Sequence, residues 1–87
     1  MISMDLTKLK ALLDDQYEWP AVYNFKFIGN ETNRDELIMA VGEKPHHEKP
    51  SKTGKYISFT FNVKCNSSDE VLTIYERVGR LHGILAL

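Results

Sequence analysis

Between Lys55 and Lys64 the chain reads Lys-Tyr-Ile-Ser-Phe-Thr-Phe-Asn-Val-Lys, with apolar and polar residues alternating at nearly every step. Successive side chains of a β-strand point to opposite faces. The spacing therefore predicts a strand with Ile57, Phe59, Phe61 and Val63 on a buried face and Tyr56, Ser58, Thr60 and Asn62 on a wet one. Residues 21–28 repeat the pattern, with Tyr23, Phe25 and Phe27 set against Asn24 and Lys26. Trp19-Pro20 marks the start of this strand, because the residue before a proline avoids the helical region and proline has no amide to donate.

Elsewhere the apolar period is three to four. Leu6, Leu9, Leu12 and Leu13 predict a short amphipathic helix, with Asp5 at the positive end of its dipole. Leu37, Ile38, Ala40 and Val41 predict a second, capped by Thr32 or Asn33, acidic in its first turn and ended by Gly42. A helix that short has to be held by packing. Val71, Ile74, Tyr75, Val78 and Leu81 predict the third, opened by a capping box from Ser67 to Glu70 and weakened by Gly79 in its last turn. Pro45 and Pro50 each remove a ladder donor, so any strand within residues 43–51 has to lie at an edge. Ser51-Lys52-Thr53-Gly54 is the turn that carries this edge into the strong strand, with Gly54 free to take a positive φ. Ile84, Leu85 and Leu87 form a last, short apolar strand.

The order helix, strand, helix, strand, strand, helix, strand predicts an α+β fold of ferredoxin-like βαββαβ type. Its antiparallel sheet has helices on one face, and an amphipathic helix is added at the N-terminus. Residues 1–18 are expected to be a helical extension and 19–87 a single ferredoxin-like domain. The first and third strands become central neighbours.

Charge narrows the function. The 87 residues carry 11 Lys and Arg against 12 Asp and Glu, a formal charge of -1. Nucleic-acid binding through phosphate contacts needs a cationic surplus, so that class is disfavoured. The single cysteine, Cys65, forms no intramolecular disulfide and suits a reducing compartment. Charged residues interrupt the leucines of the first 13 positions, and no run approaches the roughly 18–20 apolar residues of a membrane span. A cytoplasmic protein without a membrane role is expected.

Candidate chemistry is sparse. His46 and His47 are adjacent and would point to opposite faces of a strand, and neither Cys65 nor His82 is spaced to join them, so no metal site is expected. The carboxylates Asp14, Asp15, Asp69, Glu70 and Glu76 fall at helix ends and on helix faces, where solvation and the helix dipole account for them. No catalytic residue and no cofactor is expected, and the chain is read as non-enzymatic. Lys52-Thr53-Gly54 copies one element of the penicillin-binding set, but its companion Ser-x-x-Lys is absent. Lys49, Lys52, Thr53, Gly54, Lys55 and Tyr56 together offer positive charge and backbone amides to a small anion or amino-acid-like effector. The wet sheet face carries Asn24, Lys26, Tyr56, Ser58, Thr60 and Asn62. Only Tyr56 could stack on a base, which leaves RNA binding a distant third reading. The last strand is apolar on both parities, so the expected mode of action is contact with a protein partner or a second copy, a homodimer through an edge strand.

Three segments in combination resemble the YbeD-like family of small bacterial proteins, a family of unknown function. They are Tyr23-Asn24-Phe25-Lys26-Phe27-Ile28-Gly29, then Ser51-Lys52-Thr53-Gly54-Lys55-Tyr56-Ile57-Ser58, then Glu70-Val71-Leu72-Thr73-Ile74-Tyr75-Glu76-Arg77-Val78. The resemblance covers about residues 19–87. It implies a ferredoxin-like fold similar in shape to small regulatory modules that bind effectors at paired domains, and it carries no catalytic residues with it.

Overall fold

The computed structural model describes residues 6–87, so the expected role of Asp5 lies outside the described residues. The elements are α1 (Leu6–Gln16), β1 (Ala21–Gly29), a 3-10 turn (Glu31–Asn33), α2 (Arg34–Val41), β2 (His47–Pro50), β3 (Ile57–Cys65), α3 (Ser68–Gly79) and β4 (Leu85–Ala86). The four strands form one sheet in the order β2-β3-β1-β4, every neighbouring pair antiparallel. This is the α+β, ferredoxin-like arrangement that the alternation and periods predict, with the two strongly alternating strands at the centre.

The β1/β3 register runs from Ala21 opposite Cys65 to Gly29 opposite Ile57. It sets Phe25 against Phe61 and Phe27 against Phe59, and all four rings are fully buried. Leu37 and Val41 of α2, Val71, Ile74 and Val78 of α3, and Leu13 of α1 close over them in one cluster. Removing each such side chain from water is worth about 1.5–3 kcal/mol, so these rings dominate the stability of so short a chain. The alternation extends one residue beyond the ladder: β3 begins at Ile57, because Tyr56 still belongs to the hairpin, its carbonyl accepting from the Ser51 amide at 2.8 Å.

Local chemistry sets the helix ends. Asn30 caps the 3-10 turn, its side chain accepting from the Thr32 amide at 3.0 Å while the Asn33 side chain accepts from the Asn30 amide at 2.9 Å. Asn30 thus supplies the side-chain cap expected from Thr32 or Asn33; the chain enters α2 through a tight turn whose own amides need a cap first. Gly29 permits this closure, since a Cβ there would lie 2.8 Å from Asn33 Oδ1. Gly42, at φ +95°, ends α2 in the left-handed conformation. Ser67 caps α3 by accepting from the Glu70 amide, and the Glu70 carboxylate takes the Asn66 amide one residue upstream of the usual box. The helix stops at Gly79, so Leu81 packs on the core from outside it.

α1 packs on α3, held by apolar and polar side chains together. Leu13 is buried, but Leu12 is 59% exposed, because a helix lying across α3 covers a narrower stripe than four leucines supply. Lys10 Nζ donates to Ser68 Oγ at 2.9 Å and to Asp69 at 3.0 Å, and Trp19 Nε1 donates to Asp14 at 3.0 Å. The hydrogen bonds to Asp14 from the Ser68 and Trp19 side chains hold its carboxyl below the usual range. Tyr17 stacks on Trp19, and the Tyr23 and Tyr75 hydroxyls meet at 3.0 Å between β1 and α3.

Candidate interaction surface of the sheet

Directly opposed residues of antiparallel strands share a face, so the register builds the outer surface row by row. One row crosses from Lys49 on β2 through Ser58 and Ile28 to Leu85 on β4. The next holds His47, Thr60 and Lys26, with the Leu87 amide donating to the Lys26 carbonyl at 2.9 Å. Asn24 and Asn62 follow, hydrogen-bonded to each other at 2.6 Å, and then Val22 and Lys64. Asn24, Lys26 and Asn62 are exposed, Ser58 and Thr60 are half-buried, and Tyr56 stands at the end of the face, 49% exposed.

Charge on the strands is one-sided. Lys26, Lys49 and Lys64 face outward with His47, and none of the three lysines forms an ion pair among the described residues. Glu48, the one strand carboxylate, is opposite buried Phe59 and therefore on the inner parity. There it takes a two-pronged bond from Arg34 of α2, with contacts of 2.8–3.1 Å. The remaining described carboxylates lie in helices and loops. A net charge near zero thus conceals a cationic face.

Apolar residues share that face. Val22, Leu85 and Leu87 are each about 60% exposed, and Ile28 lies half-buried between Ser58 and Leu85. Ile28, Val22 and Lys64 were not singled out from the sequence, although the even parity of Asn24 and Lys26 extends to all three. The addition of His47 and Lys49 to the same surface depends on the β2/β3 register, which has no local signature.

The hairpin residues separate into two groups. Lys49 and Tyr56, with Ile28, Pro50, Ser51 and Ser58, line a shallow hollow of about 210 Å³. Lys52, Thr53, Gly54 and Lys55 stand beyond it at the tip, where Gly54 takes φ +74°. Turn closure engages three of the amides there: Gly54 donates to the Ser51 carbonyl at 2.9 Å, Lys55 to Thr53 Oγ1 at 3.4 Å and Tyr56 to Ser51 Oγ at 3.2 Å. The Lys55 ammonium rests 5.5 Å from the centre of the Tyr56 ring.

A second hollow, of about 260 Å³, lies between α3 and β3, lined in part by Val41, Val63, Cys65, Ile74 and Arg77. Cys65 is buried, and desolvation, aided by Glu70 and Glu43, pushes its thiol up and keeps it protonated. His46, His47 and His82 form no group of three or more metal-ligating side chains among the described residues. None of the described helices is long and apolar enough to cross a membrane.

Fold and surface define a small α+β plait with a helical layer on one side of its sheet and, on the other, a face that none of the described elements covers. The chain belongs to the family described as "Protein of unknown function (DUF493)", whose profile matches residues 14–86. This is the YbeD-like family that the three sequence segments resemble. Similar relatives are UPF0250 proteins of bacteria. That of Shewanella oneidensis is 29% identical over 83 residues, covering 87% of this chain and 94% of the relative. That of Vibrio parahaemolyticus is 30% identical over 78 residues, covering 82% and 85%. That of Yersinia pestis is 29% identical over 80 residues, covering 84% and 92%. No solved structure matches the chain.

Proposed function

We propose that this chain is a non-enzymatic, cytoplasmic interaction module that works by contact through the free edge of β4, with a second copy of itself as occupant. The carrying observation is the difference between the two sheet edges. β2 presents His47, Glu48, Lys49 and Pro50, the charged and proline-bearing composition that discourages further strand pairing. β4 and its neighbours read Ile84-Leu85-Ala86-Leu87, with no charged side chain, and both leucines are largely exposed. An uncharged open strand of this kind is a template for antiparallel addition. Light scattering at high micromolar concentration is expected to give the mass of a dimer, and Leu85→Lys the mass of a monomer. A monomeric mass for the unaltered chain overturns the reading.

The hollow beside Lys49 and Tyr56 favours a second reading, in which a small anion or amino-acid-like effector binds there and regulates the module. A ligand that binds only the native state raises its melting temperature. A thermal-shift screen against amino acids and phosphates tests this, and no shift at millimolar ligand removes it.

A further inference from the structure

We infer that the outer face of the sheet binds an acidic, amphipathic segment of a partner protein. The argument is complementarity in two respects. Lys26, Lys49 and Lys64 project from three strands with no carboxylate partner among the described residues, and the single acidic residue of the described strands is turned to the opposite side and held by Arg34. A surface of one sign attracts and orients the other sign and discriminates against its own. Among these lysines stand Val22, Ile28 and Leu85, so the cations are interleaved with aliphatic surface. An occupant has to supply both carboxylates and apolar side chains.

That second requirement selects a polypeptide over a nucleic acid. Bases are held on a sheet by flat rings, and the outward positions of β1 and β3 carry none. The inference is separate from the β4 edge reading, because the occupant lies across the outer face of all four strands, whereas strand addition uses the backbone of the outer edge of β4.

The probe is a fluorescein-labelled synthetic peptide with Leu at helical spacing and Glu at the remaining positions, followed by fluorescence anisotropy. Three controls are a Leu/Lys peptide of the same pattern, a plain polyglutamate and a labelled oligouridine. The Leu/Glu peptide is expected to bind with micromolar affinity that weakens about tenfold or more as salt screens the exposed charges. The double variant Lys26→Glu with Lys64→Glu is expected to weaken binding by a further factor of about ten, with mass and melting temperature unchanged, since both side chains are solvated. Amide shifts in NMR spectra are expected to change on Lys26, Thr60 and Leu85. The inference is overturned by an absence of binding, by equal binding of any of the three controls, by an unchanged affinity in the double variant, or by shifts confined to the helices. Light scattering on the same samples reports self-association independently, so a monomeric chain that still binds the peptide refutes the edge reading alone.

Discussion

The two faces of the sheet are built from alternate residues of the same strands, yet they do different work. On the inner face Phe25, Phe27, Phe59 and Phe61 have no exposed surface. One residue along, Asn24, Lys26, Thr60 and Asn62 face outward, and the hydrogen bond between Asn24 and Asn62 crosses an open surface. Stability is concentrated on one parity because the hydrophobic gain scales with area removed from water. The other parity carries little of it, so its residue types answer to whatever the face meets. A face rich in unpaired lysines and exposed aliphatics is therefore informative about partners in a way the phenylalanines are not.

Substitutions on the two faces should separate this contrast cleanly. Phe61→Ala leaves a cavity under α2 and α3 and is expected to cost about 3–5 kcal/mol in a urea melt. A domain of this length commands roughly 4–13 kcal/mol in total, so much of the variant is expected to be unfolded at 37 °C. Gly29→Ala pushes a methyl group against the Asn33 side chain and is expected to cost about 1–3 kcal/mol, as overpacking does. If Gly29→Ala proves neutral, the close Asn33 contact is not what closes the turn into α2.

Tyr75 tests the boundary between the layers. Burial, with the hydrogen bond that its hydroxyl shares with Tyr23, raises its phenol well above the ordinary 10.0. The folded state holds that proton more tightly than the unfolded chain. Its contribution is complete below pH 10 and is lost as pH rises through the range above it. Stability measured by denaturant melts should therefore fall beyond pH 10, and Tyr75→Phe should flatten that fall while costing about 1 kcal/mol at neutral pH for the lost hydroxyl pair. Ser67→Ala removes the α3 cap and is expected to cost about 1 kcal/mol. The smallest effect is expected outside the core: Thr60→Ala, one residue from Phe61 and on the opposite, outer parity, should stay within about 0.5 kcal/mol. A loss comparable to that of Phe61→Ala would show that the outer face is covered in solution.

Much of this was legible along the chain, because alternation and helical period are local and each names its own buried side. The residues of β1 and β3, the proline-bearing edge, the turn at Gly54 and the stripe of α3 follow from that rule. Leu12 did not, since a leucine at the correct spacing reports an apolar stripe and not its width, and α3 covers only part of it. Asn30 was missed as a cap because a 3-10 turn before α2 leaves no periodic signal.

The candidate surface divides in the same manner. By itself the chain determined which residues of β1 and β3 face away from the core, because a period of two admits only two assignments and the phenylalanines decide between them. Only the tertiary structure decided that β2 brings Lys49 and His47 beside Ser58 and Thr60, and that Glu48 turns inward to Arg34. Register between strands distant in sequence is set by packing of the whole core, and it is register that gathers scattered lysines into one cationic face.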